Sequence, residues 1–246
     1  MDRMLYIGMS GAKESFLALA QNNHNLSNIA TTGFRAELAQ FRSQPVFGPG
    51  MPTRAYAMDE RPGMDLRAGP LINTGRDLDV AIKGDGWIAV QARDGEEAYT
   101  RAGDFQVTNL GMLVTGNGLP VIGNGGPIAL PAAENVIIQP DGSIAIQPIG
   151  QGANALVVVD RIKLVKPNTD NLQKGEDGLI RTRDGQNAAP STLVSVVSGA
   201  LEGSNVTPAD ALVKMVQYQR HYELQVKSMA TAKENDQSSQ TLLKFS

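Results

Sequence analysis

Glycine and proline, the strongest breakers of regular helix, are confined to one stretch of this chain. All 13 prolines lie between Pro45 and Pro208, only Gly8 and Gly11 of the 26 glycines precede Gly33, and neither residue type occurs after Pro208. The partition predicts a helix, a turn-rich middle and a second, uninterrupted helix. The expected architecture is α+β: long paired N- and C-terminal helices, coiled-coil-like, flanking a single, mainly antiparallel all-β domain. The expected boundaries are 1–34 for the first helix, 35–75 for an extended connector, 76–200 for the β-rich middle and 201–246 for the last helix.

In the first segment Leu5, Met9, Ala12, Phe16, Leu19 and Leu26 follow alternating steps of four and three, with Asn23 interrupting the row. That period of 3.5 reads as a packing seam. Thr31-Thr32-Gly33 supplies the stop, because glycine tolerates the left-handed conformation that closes a helix, and Phe34 can fold back on it. Asn22, Asn23, Asn25 and Asn28 crowd the last two turns. Asparagine is a mediocre helix former, so these amides read either as a frayed polar end or as hydrogen-bonding groups aimed at a partner.

The last segment opens on Thr207-Pro208-Ala209-Asp210, a capping threonine, a proline at the first helical position and an acid three residues after the cap. A helix from Pro208 to about Leu243 would span roughly 54 Å. Leu212, Met215, Gln219, Tyr222, Val226 and Met229 keep the three-four spacing, and Leu242 and Leu243 resume it near the end. Arg220 and Glu223 lie three apart on one face, as a solvated pair or as groups for an inter-subunit contact.

The middle holds short β-type runs, Leu78 to Ile82, Trp87 to Val90, Met112 to Thr115, Pro120 to Ile122, Val136 to Ile138 and Leu156 to Leu164. Asp94-Gly95, Asn117-Gly118, Asp141-Gly142, Asp177-Gly178 and Asp184-Gly185 punctuate them. Asn117-Gly118 is the clearest hairpin turn, since both residues tolerate positive φ. Residues 35–75, with five prolines and little periodicity, read as a connector that adds at most some strands to the β domain.

Burying about five large apolar side chains of the first helix does not offset the entropy of ordering it. A two-helix unit also leaves faces uncovered, so neighbouring copies are the expected cover. Both ends are then expected to be loose in the monomer, and protease to trim it to roughly residues 35–200.

Bulk properties exclude several classes. A net charge of −3 and a pI near 5.5 argue against nucleic acid and anionic membranes as partners. No apolar run reaches the roughly 20 residues that cross a bilayer, and the start lacks a secretory signal. On these rules alone the chain reads as cytosolic. It has no cysteine, hence no thiolate metal site or cysteine nucleophile, and the two histidines, His24 and His221, form no local cluster. No cofactor is expected. Asp77 and Asp79 alternate on a strand-like stretch and so should share a face, as an acid pair of a glycosidase would; a structural role beside a turn is the stronger reading. Gly84-Asp85-Gly86 lacks the third glycine and the following helix of a nucleotide loop.

Five segments in order resemble a known family, the axial proteins of the bacterial flagellum: rod, hook and hook-associated proteins. Asn25-Leu26-Ser27-Asn28-Ile29-Ala30-Thr31-Thr32-Gly33-Phe34 is similar to the signature that closes their N-terminal helix. Thr74 to Ile82, Gly84-Asp85-Gly86-Trp87 and Tyr99-Thr100-Arg101-Ala102-Gly103-Asp104-Phe105 are similar to the block that rod and hook proteins share. Leu201-Glu202-Gly203-Ser204-Asn205-Val206, followed by Arg220-His221-Tyr222-Glu223, resembles the approach to their last helix and its interior. His24 stands where many relatives carry a second asparagine. The opening Met1-Asp2-Arg3, Met9-Ser10-Gly11-Ala12 and the modest length resemble one rod protein in particular, with the somewhat longer distal-rod protein as the nearest alternative.

The resemblance implies a non-enzymatic rod subunit, exported without a cleaved signal by the flagellar type III apparatus and assembled in the periplasm. It replaces the cytosolic reading. Implied partners are copies of itself and neighbouring rod proteins; the implied work is torque transmission around an export channel. The expected assembly surface comprises Leu5, Met9, Ala12, Phe16, Leu19, Asn22, Asn25, Leu26, Asn28, Leu212, Met215, Gln219, Arg220, Tyr222, Glu223, Val226 and Met229. Two other classes compete: a peptidoglycan hydrolase using Asp77 with Asp79 or Asp104, and a periplasmic binding or chaperone module that grips one partner with the helices.

Overall fold

A computed structural model of the chain describes residues 4–45, 55–148, 150 and 156–244, without the side chains of 39–41, 59–62 and 242–244. Met1-Asp2-Arg3 of the opening and the side chains of Leu242 and Leu243 therefore lie outside the described residues. The chain order is α1 (Met4–Ser27), β1 (Glu37–Pro45), β2 (Ala55–Met64), β3 (Leu71–Asn73), β4 (Val80–Lys83), β5 (Trp87–Gln91), β6 (Glu97–Thr100), β7 (Phe105–Val107) and β8 (Leu113–Thr115). It continues with β9 (Ala133–Ile138), β10 (Ser143–Pro148), β11 (Val157–Arg161), β12 (Leu164–Val165), β13 (Leu172–Lys174), β14 (Ile180–Thr182), β15 (Ser195–Ser198), β16 (Ala200–Glu202) and α2 (Pro208–Lys244).

Two compact units emerge, each discontinuous in sequence: Met1–Ile29 with Ala36–Asp65 and Val206–Ser246, and Ala30–Arg35 with Leu66–Asn205. The second is the β unit. Its largest sheet has the order β12-β5-β6-β14-β13, beside a three-stranded β11-β10-β9 and the pairs β15-β4, β16-β3 and β7-β8, all antiparallel. One apolar cluster joins these small sheets, with Val80, Ile88, Val90, Phe105, Leu113, Val121, Ile128, Ile144, Ile162 and Leu164 inside it. Asn117-Gly118 turns as its residue types require: Gly118 has φ +76° and its N–H donates to the Thr115 carbonyl.

The helical unit holds α1, α2 and the antiparallel hairpin β1–β2. Proline at the first position and the Ala211 N–H donating to the Thr207 carbonyl start α2. After Pro208 the 37-residue helix contains no glycine or proline.

This is not the expected pair of coiled-coil-like helices flanking one β domain. The described residues hold only two α-helices among many short strands in several sheets, and small residues of α1 line much of their contact, with Gly8 against Met229 and Gly11 against Gln225. The buried positions of α1 are Gly8, Ala12, Glu14, Ala18, Asn22 and Asn25. Ala12 lies on the predicted row, and most of the others run beside it: Gly8 rather than Met9, Ala18 rather than Leu19, Asn25 rather than Leu26. In α2 the buried residues among those described are Ala211 and Ala232, while Leu212 is exposed. Small side chains let the backbones approach, and Met9, Phe16, Leu212, Tyr222 and Val226 of the large apolar rows turn outward. Within the chain, α2 and the β1–β2 hairpin lie on α1.

Candidate functional site

In the β unit, four of the sequence segments singled out above converge on one buried ionic cluster. Glu202 ends β16 with its side chain 1% exposed. Its Oε1 accepts from Arg35 Nη2 at 2.6 Å and from the Gly69 N–H at 3.0 Å; its Oε2 accepts from Arg101 Nη1 at 2.8 Å. Arg101 Nη2 also donates to the Gly84 carbonyl, and Arg35 Nη1 to the Arg67 carbonyl. Both guanidiniums face the ring of Trp87, at 5.8 Å for Arg35 and 5.2 Å for Arg101. One carboxylate between two arginines leaves an excess positive charge, which the negative face of the indole helps to hold.

The surrounding glycines exist because backbone must come this close. Gly33 has φ +67°, its N–H donates to the Glu202 carbonyl at 2.7 Å, and a Cβ there would lie 2.3 Å from the Arg101 backbone. The chain leaving Gly33 runs alongside the chain leaving Glu202, with the Asn205 N–H donating to the Phe34 carbonyl and Asn205 Nδ2 to the Arg67 carbonyl. Lys174 Nζ donates to the Arg35 carbonyl and sits 4.1 Å from the centroid of the Phe34 ring. These two crossings are the segments by which the β unit continues into α1 and α2. The sequence signal was a charge set in glycine-rich or apolar surroundings, Arg101 within Tyr99–Phe105 and Glu202 between Leu201 and Gly203. Arg35, just past Gly33, carried no such signal.

In the helical unit the asparagines work within the chain. Asn22 Nδ2, buried, donates to the Ala211 carbonyl at 2.8 Å. Asn25 donates to the Glu37 carbonyl and accepts from the Glu37 N–H, closing α1 onto the start of β1. Asn28 Nδ2 returns to the His24 carbonyl. Gly8 meets Met229 and Gly11 meets Gln225, so close that an added Cβ would lie 2.7 and 2.9 Å from those side chains. α1 and α2 are thus antiparallel, in a register fixed by Asn22 and by two glycines.

The other expected surface residues divide. Leu5, Leu19, Leu26, Met215 and Met229 are half-buried and Ala12 is buried. Met9 and Phe16, each 58% exposed, and Leu212, Tyr222 and Val226 face outward. Gln219, Arg220 and Glu223 are exposed, and Glu223 accepts from Gln219 Nε2. Other large apolar side chains extend the outward set: Tyr6 and Leu17 on α1, Val213, Val216 and Leu224 on α2.

The acid pair expected on a shared face does not form one. The chain turns at Asp77, leaving it exposed, whereas Asp79 is 1% exposed and bridges to Asp104. Burial raises the Asp104 carboxyl above its ordinary range, and Asp79 beside it adds to the shift while Arg76 opposes it. Asp77 is thus exposed, Asp104 half-buried and Asp79 enclosed. His24 Nδ1 lies 3.7 Å from Glu37 Oε1, and His221 is exposed on α2. Among the described residues, no group of three or more potential ligands could hold a metal ion, and no helix is long and apolar enough to cross a membrane.

Two family models match the chain: the flagellar hook protein FlgE/F/G D1 domain over residues 81–146, and the flagellar basal body rod FlgEFG protein C-terminal region over residues 197–242. The flagellar basal-body rod protein FlgF of Salmonella typhimurium is 40% identical over the whole of both chains. FlgF of Caulobacter vibrioides is 34% identical over 97% of this chain and 96% of its own. The rod protein FlgG of Bacillus subtilis is 31% identical over 95% and 96%.

Proposed function

The chain belongs to the family of flagellar basal-body rod proteins, with two FlgF members 40% identical to it over its whole length, and we propose that it works through the outward apolar rows of α1 and α2. Membership makes it a structural component of the basal-body rod. Its neighbours there are copies of itself and other rod proteins. Met9, Phe16, Leu212, Tyr222 and Val226 form the surface that meets them, flanked by Arg220 and Glu223.

One observation carries this reading. Two helices paired with each other, Gly8 and Gly11 of α1 against α2 and Asn22 bonded to the Ala211 carbonyl, still expose large apolar side chains that nothing among the described residues covers. Exposed apolar area of this extent, on long stiff elements, fits lateral packing against other helices. Assembled so, the subunit transmits torque and walls an export channel; it reaches the periplasm through the type III apparatus without a cleaved signal. Its role is structural, not catalytic, in keeping with the enclosure of Asp79.

The reading is tested by complementing a strain that lacks the protein with Phe16→Asp or Leu212→Asp and measuring the subunit in purified basal bodies. Loss of incorporation with normal cellular levels is expected. Normal incorporation of both variants would refute it.

A further inference from the structure

The sequence holds two Asn-Gly pairs, Asn117-Gly118 and Asn124-Gly125, and all four residues are exposed in turns of the β unit. In such a pair the backbone nitrogen of the glycine can attack the side-chain amide before it, because no Cβ hinders the approach or restricts the backbone. Water reaches both pairs equally. They differ in the state of the attacking nitrogen.

At the first pair the Gly118 N–H donates to the Thr115 carbonyl at 2.8 Å, and Gly118 is held at φ +76°. The turn is closed twice more, by the Thr115 N–H on the Leu119 carbonyl and the Leu119 N–H on Thr115 Oγ1. At the second pair the Gly123 N–H donates to the Gly126 carbonyl at 2.7 Å, and Asp160 Oδ1 accepts from the Asn124 N–H at 3.4 Å. Those bonds hold the turn on either side of Gly125, whose own N–H donates to nothing among the described residues, and the Asn124 side-chain amide has no partner there either. A Cβ at Gly125 would meet nothing within 4 Å, so packing does not shield its nitrogen.

We infer that Asn124 is a site of spontaneous deamidation and that the fold protects Asn117 from the same reaction. The Gly125 nitrogen gives its proton to hydroxide and bonds to Asn124 Cγ. The Cγ–Nδ2 bond breaks, and Nδ2 leaves as ammonia after taking a proton from water, which restores the hydroxide and closes a succinimide ring. Water then opens either carbonyl of the ring, leaving aspartate or isoaspartate at position 124. No oxidant or reductant takes part, and the rate rises with pH because the nitrogen must lose its proton. The product carries a new carboxylate on the residue whose N–H Asp160 accepts. For Asn117 the same attack first requires Gly118 to leave the Thr115 carbonyl.

The test is peptide mapping by mass spectrometry of the full-length chain aged in mildly alkaline buffer, with electron-transfer fragmentation to tell isoaspartate from aspartate. In the folded chain position 124 should convert about tenfold faster than position 117, the factor set by one backbone hydrogen bond. In urea the two should convert at similar rates. Gly125→Ala, whose methyl has room in the turn, should slow conversion at 124 and leave the rate at 117 and the melting curve unchanged. Equal rates in the folded chain, faster conversion at 117, a difference that persists in urea, or an unaltered rate in Gly125→Ala would each overturn the assignment.

Discussion

Replacing Glu202 with glutamine would leave the guanidiniums of Arg35 and Arg101 buried around a neutral amide. Breaking a buried ion pair from one side costs about 3–5 kcal/mol, because the remaining charge is uncompensated. Chemical denaturation followed at Trp87, which both arginines face, should report that loss. The triple change of Arg35, Arg101 and Glu202 to methionine should recover most of it, since an apolar set carries no such charge; a triple variant as weak as Glu202→Gln would contradict the cluster's electrostatic character. Asp104 makes a second residue-scale prediction. Its carboxyl titrates above the ordinary 3.8 in the folded chain, so between that value and its folded pKa the native state holds more protons than the unfolded one. The contribution therefore favours folding on the acid side and is lost as pH rises through the folded pKa. Asp104→Asn should flatten the stability profile just above pH 3.8, and an unchanged slope would show that Asp104 does not titrate this way.

At the scale of elements, the helix pair separates two surfaces that the three-four spacing alone cannot tell apart. The row of Leu5, Met9, Ala12, Phe16, Leu19 and Leu26 obeys the period of a seam, yet only Ala12 of it is buried and Met9 and Phe16 face outward, while Gly8, Gly11 and Asn22 make close intrachain contacts beside it. Hydrophobicity marks which side chains gain by leaving water but not which neighbour covers them, and small residues that permit close approach leave no hydropathic trace. The start of α2 was legible because Thr207-Pro208 acts locally, whereas α1 stops at Ser27, short of the expected Thr31-Thr32-Gly33, and the Gly33 N–H donates to the Glu202 carbonyl instead of closing the helix. The β1–β2 hairpin was not, since its strands lack clean alternation and its partner is α1 rather than the β core. The amides of Asn22 and Asn25 were readable as hydrogen-bonding groups, while their partners, the carbonyls of Ala211 and Glu37, lie beyond any local pattern. It follows that Gly8→Leu should destabilise the helical unit by disturbing Met229, whereas Phe16→Asp, on the outward face, should change its stability by less than about 0.5 kcal/mol. Helicity at 222 nm through a thermal melt distinguishes the two; equal losses would place Phe16 within the intrachain contact.

For the whole molecule, the family could be read from five short segments in order, and the structure supplies a physical reason for several of them. Thr31 to Arg35, Gly84 to Trp87, Tyr99 to Asp104 and Leu201 to Asn205 lie far apart in sequence but supply most of the groups around Glu202. Such convergence depends on long-range contacts and is invisible from one chain. The division into two units, each built from separated stretches, is hidden for the same reason. The claim on which the rest depends is that the outward apolar rows of α1 and α2 are the assembly surface of a rod subunit. Its most direct measurement is the motility of a strain whose only copy carries Phe16→Asp and Leu212→Asp together, with the purified double variant melted in parallel. Loss of swimming with an unchanged melt is the predicted result; near-native swimming with that same melt would contradict it.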